Sequence, residues 1–543
     1  MNIKIFALGG LNEIGKNMYV VEVDDEIYVF DSGLKYADDK MLGVDYIIPN
    51  YDYLIKNKDR IQGIFLTHGH DEQMGAIPDM LLDLPCINIF GTKFTLDLLQ
   101  EELNNENLKA NLIEIKPHRK MTIGKNEIFP ISLSHSVPDA VGYVLYTKQG
   151  AIFYTGNFVF DASLQDSYKT DIGKLAYVGK QGVLCLLSES VYADKPGYTS
   201  PNHRIHNYLK EVIDNSEDRI IINIYKGQFF RIQEILNCID NDRKLVIMGK
   251  TLENNIYKSI ENGYIKFDKS KIGSIHHLDK NSIILVCDER EKPYSNIKRI
   301  VKGYDKFITL KETDTVVFAS PVYDGMEKTA TVIFDDIAKL GCNLITLSGK
   351  KYPSLHASKE DLMLMLSLMN PKYYFPVIGE YRHQVANYEI AKTYGMNEEN
   401  IILNLNGAVA TFENGELKDN TEIIKVDDIL IDGKTVGDVG ELVIKDREML
   451  GENGIVLAVA IIDKKTKKVF SSDIVTKGFV SIKDNKDLIE EAKKMTLDII
   501  KENTKASYVD YSKVKNEIRD KIGKYFYAET ECKPVILIMM QEI

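Results

Sequence analysis

The sequence lacks any apolar run long enough to cross a membrane. A spanning helix needs about 18 or more consecutive apolar residues, whereas the longest apolar stretches, such as 454–462, have only the length of a strand. The chain begins Met1-Asn-Ile-Lys-Ile-Phe6, which is typical of a first β-strand and not of a signal peptide. We therefore expect a cytoplasmic protein with no membrane partner.

Cysteine pairs, repeats and a strongly basic composition are missing as well. The 6 cysteines show no Cys-x-x-Cys spacing, so we expect reduced, mostly buried thiols and neither a zinc finger nor a disulfide framework. We find no internal repeat or low-complexity stretch. A net charge of -12 argues against a protein that coats polyanions in general, but it leaves room for a nucleic-acid enzyme with a locally basic channel.

The chain of 543 residues is too long for one hydrophobic core, so we expect several domains. Residues 1–203 hold many short β-like runs, which favours an α/β fold of stacked sheets flanked by helices, an αββα sandwich. Residues 204–347 alternate helix and strand, as an inserted α/β domain does, and residues 348–445 return to the first pattern. A linker at 446–455 precedes a small α+β association domain at 456–543, with two amphipathic helices and a closing strand.

Two histidines follow an apolar run in Ile64-Phe-Leu-Thr-His68-Gly-His70-Asp-Glu72-Gln73. Two imidazoles held this close together suit a divalent transition metal. The fuller pattern, His-x-His-x-Asp-His, has aspartate and histidine where this chain has Glu72 and Gln73. On its own, His-x-His is more often a turn or a satisfied core pair, so the interpretation depends on the rest of the chain.

Four other residues also follow apolar runs. Asp31 is placed to orient a metal-bound histidine or to cap a turn. His135 supplies a third imidazole, unless it merely packs in the core. Asn157 puts an amide where a bridging carboxylate would serve a metal, and Ile378 puts an aliphatic group at another strand end.

Together these segments resemble the ribonuclease J family nearly from end to end. The resemblance includes residues 7–17, 43–49, 190–199, 231–234, 320–328, 356–360 and 436–440. It implies a metallo-β-lactamase sandwich with an inserted β-CASP domain, a site for zinc or manganese, and dimeric or tetrameric assembly. It also implies 5′-to-3′ exoribonuclease and endoribonuclease activity on RNA, with a 5′-monophosphate on the substrate.

The resemblance also assigns the site residues. The family's first metal site falls on His68, His70, His135 and Asn157, the last of which is aspartate in the family. The second site falls on Glu72, Gln73, Asn157 and Ile378. At these positions the family has aspartate, histidine, a bridging aspartate and histidine, in that order. The family's His-x-Ser-Gly-His motif becomes Tyr352-Pro353-Ser354-Leu355-His356. Its serine and last histidine remain, and with Arg382 the segment forms the expected substrate-binding set.

The substitutions fall mainly on one of the two metal positions. Without a bridging carboxylate, two dications a few ångströms apart lose anionic screening and repel each other more, so we expect at most one firmly bound ion. His356 is expected to contact the scissile phosphate or protonate the leaving oxygen, and Glu72 keeps a carboxylate in the catalytic set. Some bacteria carry two ribonuclease J paralogues, and the second often lacks part of the active site. The chain most resembles that second paralogue.

Two functions follow from this pattern. One is a ribonuclease that is weak on its own; the other is a largely non-catalytic partner that stabilises and tunes an active ribonuclease J paralogue. Several residues also have structural alternatives. Glu72 could equally be an exposed turn carboxylate. Ser354 and His356 could cap a helix that begins near Ser358. Arg382 could form a surface ion pair. Glu189 occupies an acidic motif position of the family but has many structural uses.

Overall fold

The computed structural model describes residues 2–38, 41–225, 227–240, 242–287, 294–322, 326–433, 435–436, 441–481, 485–504 and 509–543. Residues 323–325 and 437–440, which belong to two of the motifs used above, lie outside the described residues. The chain divides into two compact units, Met1–Asp38 with Asp45–Gly433, and Asp39–Val44 with Lys434–Ile543.

Two sheets pack face to face in the first unit. Among the described residues, the larger sheet has eight strands, in the order Glu416–Ile423, Ala408–Glu413, Asn2–Gly9, Met18–Val23, Glu26–Phe30, Ile61–Phe65, Asn88–Gly91 and Asn111–Glu114. The other has six, in the order Tyr373–Val377, Val183–Glu189, Gly150–Tyr154, Val141–Thr147, Asn126–Ser132 and Met121–Ile123. Side chains such as Ile5, Phe65, Tyr143 and Phe375 interleave in the core between them.

Helices cover the two outer faces of this pair of sheets. The larger sheet packs against Asp52–Lys56, Ile77–Asp83 and Lys93–Asn105. The smaller one packs against Ile172–Gln181, Lys359–Met369 and Tyr381–Tyr394. The predicted αββα sandwich is therefore confirmed. This part also contains a small sheet that includes Asp428–Asp432, Tyr46–Pro49 and Lys35–Tyr36. It has a short helix at Asp71–Met74 and 3₁₀ turns at Lys58–Arg60, Asp166–Tyr168 and Glu398–Asn400.

A parallel sheet interrupts the sandwich. Its described strands run in the order Ile272–Gly273, Lys244–Met248, Ser282–Cys287, Ile220–Ile224, Thr315–Phe318 and Asn343–Thr346. One face is covered by His206–Asp214, Phe229–Asn237 and Lys250–Glu261, and the other by Ser295–Val301 and Glu327–Lys339; a 3₁₀ turn lies at Lys269–Lys271. Because both faces are buried, the central strands are continuous apolar runs rather than alternating ones. We call this part the inserted α/β domain.

The second unit is an α+β fold with its own core. Its described sheet has the order Val469–Lys477, Ile455–Ile462 and Val535–Glu542, and its helices are Glu441–Asn453, Lys486–Asn503 and Tyr511–Thr530. Inward-facing residues of the central strand, such as Val456 and Ala460, pack with Ile499 and Ile518 of the two long helices. The two amphipathic helices and the closing strand that were predicted within 456–543 are therefore present.

Some predicted boundaries differ from the structure for local reasons. The apolar run that leads to His68 is a strand only as far as Phe65, because the Thr67 N–H donates to the Asp31 carboxylate instead of continuing the sheet. The helix near 358 is capped by Ser358 itself, which forms a capping box with Asp361. Ser354 and His356 are thus not its caps, and that alternative is wrong.

All 6 cysteines are free, and Cys185, Cys238, Cys287 and Cys342 are buried, as expected for reduced thiols. Across the residues with described positions, none of the helices combines the length and apolar character that a membrane crossing requires.

Candidate metal centre and cleft

Asp31 ends a buried strand at the same sheet edge as the two histidines. Its carboxylate is fully buried and accepts hydrogen bonds from the Thr67 N–H (2.8 Å), the Thr67 hydroxyl (2.9 Å) and the Tyr154 hydroxyl (2.8 Å). Burial raises the pKa of Asp31 to about 7, although these hydrogen bonds lower it. The Thr67 Oγ1 lies 2.9 Å from His68 Nδ1. Asp31 therefore caps the turn after the strand and orients His68 indirectly, through Thr67.

Three histidines converge on one point. His68 and His70 come from the turn after Ile61–Phe65, and His135 comes from the loop after Asn126–Ser132. His68 Nε2 lies 3.2 Å from His70 Nδ1, and His135 Nε2 lies 3.4 Å from the same atom. One nitrogen from each ring lies within 4.8 Å of the other two. The three imidazoles that the sequence pattern selected therefore form one cluster.

The outer ring nitrogens face acceptors. His135 Nδ1 lies 2.7 Å from the Leu355 carbonyl oxygen. His70 Nε2 lies 3.3 Å from the Gly227 carbonyl oxygen and 3.1 Å from Ser136 Oγ. Because a carbonyl oxygen only accepts, these outer nitrogens carry the protons and the inner nitrogens carry lone pairs. Burial lowers the pKa of His68 and of His135 well below the usual value, and neighbouring histidines add to this effect.

A tetrahedral metal fits this cluster. Nitrogen ligands about 2.0–2.1 Å from zinc stand about 3.3 Å apart, which agrees with the 3.2 and 3.4 Å separations of the inner nitrogens. Lone pairs at these distances repel one another unless a cation lies between them. The donor set of three neutral imidazoles, each held from outside, is suited to a transition metal.

The second metal position has a different character. Gln73 is fully buried, and neither its amide oxygen nor its amide nitrogen has a hydrogen-bond partner among the described residues; the same holds for Asn157 Oδ1. Ile378 is buried and offers no ligand atom. Glu72 borders the same space but is not part of the close ligand cluster. These groups do not fit a second transition-metal ion.

The buried Glu189 pairs with the partly exposed His356 beside the histidine cluster. Glu189 Oε2 lies 2.8 Å from His356 Nδ1, while Glu189 Oε1 accepts the Phe158 N–H (2.6 Å). The His356 ring centre is 5.5 Å from that of His135. Of the structural uses that were open for Glu189, the structure shows this one: it orients His356 and leaves Nε2 of that ring available.

A cleft of about 1490 Å³ lies over the site, lined by both the sandwich and the inserted α/β domain. Of the predicted substrate-binding residues, Ser354, His356 and Arg382 line it. The other three do not: Tyr352 stacks on Tyr208, Pro353 is buried, and Leu355 packs in a small core with Val159. Leu355 contributes its carbonyl instead, to His135.

Arg382 is exposed, and it already has acidic partners. Its Nε donates to Glu380 Oε2 at 2.7 Å, and its Nη1 lies 3.8 Å from Asp194. The ion-pair alternative from the sequence is therefore present in the structure. Other cations that line the cleft are Lys35, Lys195, Lys250 and Lys350, and they stand among carboxylates such as Glu13, Glu102 and Glu327.

Sequence reasoning missed three residues that hold the histidines from outside. Thr67 and Ser136 are each next to a ligand in the chain, and a search for hydroxyls beside the candidate ligands would have found them. Gly227 is 157 residues from His70, and no local pattern links the two positions.

An αββα sandwich with histidines at its strand ends, interrupted by a parallel α/β layer, defines the class of metallo-β-lactamase-fold proteins with a β-CASP domain. Comparisons with known proteins agree. Residues 217–337 match the model of the ribonuclease J beta-CASP domain, and residues 442–543 match that of the ribonuclease J C-terminal domain.

The relatives span the whole chain. Ribonuclease J2 of Bacillus subtilis is 36% identical over 550 residues, covering 100% of this chain and 99% of its own. Ribonuclease J 2 of Staphylococcus aureus is 34% identical over 552 residues, covering 100% and 98%. A solved structure of a protein of unknown function from Enterococcus faecalis shares the fold, with TM-score 0.54 and 15% identity over 76% of this chain and 100% of that one. The chain belongs to the ribonuclease J family and is J2-like.

Proposed function

We propose that this chain is a metal-dependent ribonuclease subunit of the cytoplasm that is weak on its own, with 5′-to-3′ exoribonuclease and endoribonuclease activity on 5′-monophosphorylated RNA. One ion of zinc or manganese is held by His68, His70 and His135, with Asn157 or Glu72 as a weaker fourth ligand. The main support is the separation of the inner imidazole nitrogens, 3.2 and 3.4 Å, which suits one tetrahedral metal. The domain boundaries at 203/204, 347/348, 445/446 and 455/456 remain predictions, although residues 446–453 of the expected linker are helical in the structure.

The chain's own residues bind and orient the RNA and handle the proton. When bound, the metal supplies a Lewis acid and an activated water. His356, held at Nδ1 by Glu189, presents Nε2 to a phosphate or leaving oxygen, and an imidazole in this position is suited to proton transfer. Ser354 and Arg382 line the cleft and contact phosphate, with Arg382 exchanging its carboxylate partners for the RNA backbone.

The low activity follows from the second position. Gln73 and Asn157 offer neutral amide groups and Ile378 none, so a second cation would lack both a bridging anion and an imidazole. Two-metal phosphodiester hydrolysis depends on cations at both the attacking and the leaving oxygen. We therefore expect slow hydrolysis rather than robust processive degradation.

The test is metal content and nuclease activity of the purified chain. We expect His68→Ala and His70→Ala each to reduce bound zinc and to abolish residual manganese- or zinc-dependent cleavage of 5′-monophosphorylated RNA. The matched control is His277→Ala, since His277 is exposed in the inserted α/β domain. Equal metal content and cleavage in all four proteins would contradict the proposal.

A second candidate function is that of a structural partner of an active ribonuclease J paralogue, in a homo-dimer or tetramer or in a hetero-complex. One observation favours it. The sheet face of the second unit that points away from its two long helices is apolar: Leu537 is 48%, Met539 54% and Val475 50% exposed. Exposed apolar patches of this kind mark protein–protein contacts.

A further inference from the structure

Gly227 belongs to the inserted α/β domain and contacts a histidine of the sandwich. It lies between the strand Ile220–Ile224 and the helix Phe229–Asn237. Its carbonyl oxygen is 3.3 Å from His70 Nε2, the nitrogen on the side of the ring opposite the histidine cluster. One of the outer partners of His70 therefore comes from a different layer of the molecule.

The approach requires glycine for two reasons. Gly227 has a φ of +80°, in the left-handed region, where side chains with a Cβ are strained. A Cβ at this position would also stand 2.7 Å from His70 Cδ2 and 3.2 Å from His70 Nε2. An alanine here would push on the ring itself rather than on the end of a flexible side chain.

A second outer contact of His70 is also held by the inserted α/β domain. Ser136 Oγ lies 3.1 Å from His70 Nε2. The Ser136 carbonyl in turn accepts the Phe230 N–H at 2.8 Å. The segment 227–230 thus touches the outer nitrogen of His70 directly through Gly227 and, through Phe230, holds the backbone of Ser136.

We propose that segment 227–230 of the inserted α/β domain, and Gly227 above all, positions the metal ligand His70. This inference rests on the proposed metal binding by the three histidines. A carbonyl that accepts the Nε2–H keeps Nδ1 as a lone pair aimed at the ion and fixes the plane of the ring. The affinity for metal is therefore linked to the docking of the inserted α/β domain, and by the reciprocity of linkage the bound metal stabilises that docking.

Zinc affinity measured by competition with a chromophoric chelator tests the inference. Changes to groups that orient a metal-bound histidine typically weaken metal binding by about 10–100-fold, and we expect Gly227→Ala to fall in that range. The matched control is Gly263→Ala in the same domain, because Gly263 also has φ +80° but a Cβ there meets nothing within 4 Å. The control carries the same backbone strain without touching His70, so it should bind zinc as the unmodified chain does.

If the Gly227→Ala protein does not fold, a second variant and a second measurement still test the inference. Ser136→Ala leaves the backbone unchanged, removes the hydroxyl that contacts His70 Nε2, and should weaken zinc binding toward the lower end of the same range. The visible absorption of the cobalt(II) form should shift in Gly227→Ala and Ser136→Ala and stay unchanged in Gly263→Ala, because it reports the geometry of the ligands.

The outcomes separate the inference from the proposed function. If the unmodified chain binds no zinc, the proposed metal site is wrong. If it binds zinc while the variants at Gly227 and Ser136 match Gly263→Ala in affinity and cobalt spectrum, the site stands and the positioning role is wrong.

Discussion

Ile378 has a left-handed backbone, with φ +51°, although its side chain is β-branched and such residues rarely adopt it. The turn is held from both sides: the Ile378 N–H donates to the Tyr19 hydroxyl (3.0 Å), and its carbonyl accepts the Ser190 N–H (2.9 Å). Strain of this kind costs about 1–3 kcal/mol. The backbone therefore keeps a turn at the metal position although its side chain has no ligand atom.

This preserved turn leads to a prediction at the scale of single residues. Combining Ile378→His, Gln73→His and Asn157→Asp supplies the imidazoles and the bridging carboxylate that the second position lacks. We expect zinc bound per chain, measured by mass spectrometry of the metal, to rise by about one ion, and cleavage of 5′-monophosphorylated RNA to rise with it. Asn157→Asp alone is the control and should leave the stoichiometry unchanged. An unchanged zinc content in the triple variant would show that more than these ligands has been lost.

The segment that enters the inserted α/β domain has a buried polar junction just before the helix His206–Asp214. His203 is fully buried, with Nε2 3.3 Å from Asp161 Oδ2. Arg204 also pairs with Asp161 (2.7 Å), and the buried Arg231 donates to the His203 carbonyl (3.0 Å). Burial lowers the pKa of His203 to about 4, although Asp161 raises it.

The junction predicts how stability changes with pH. An unfolded chain protonates this histidine near pH 6.5 and the folded chain only near 4, so stability is lost as the pH falls from about 6.5 toward 4. Between pH 7.5 and 5.5, His203 alone accounts for about 1.4 kcal/mol. The free energy of unfolding is measured in urea with a chelator present. Between pH 7.5 and 5.5, the His203→Gln variant should lose about 1.4 kcal/mol less of it than the unmodified chain. The exposed His277→Gln should keep the full pH dependence; equal slopes in all three proteins would refute the role of His203.

At the scale of the whole molecule, local patterns predicted the elements well but not the contacts between distant segments. The runs Lys244–Met248 and Tyr373–Val377 are strands, because a buried parallel strand is a continuous apolar run. The three histidines were found because each follows such a run. The partners that orient these histidines were not found, since Leu355 is 220 residues from His135 and Gly227 is 157 residues from His70. Such contacts depend on how layers stack, which no local period encodes.

Association is the remaining property of the whole chain, and the second unit allows a test of it. On its central strand, inward residues such as Ala458 are buried while the alternate ones, such as Leu457, remain partly exposed; Leu537 and Met539 continue this apolar face on the neighbouring strand. We expect Leu537→Lys with Met539→Lys to weaken both self-association and the complex with a paralogous ribonuclease J, because buried lysines without partners are costly.

Light scattering after size exclusion, for the chain alone and mixed with the paralogue, measures both assemblies. The matched control is Tyr304→Lys, which places a lysine at a residue 78% exposed in the inserted α/β domain and should leave both masses unchanged. The chain acts as a structural partner if two results are found together. The double lysine variant must lower both the mass of the mixed complex and its cleavage of RNA, and His68→Ala must leave that cleavage intact. If the double lysine variant assembles as the unmodified chain does, this face is not the association surface, and its apolar residues require another explanation.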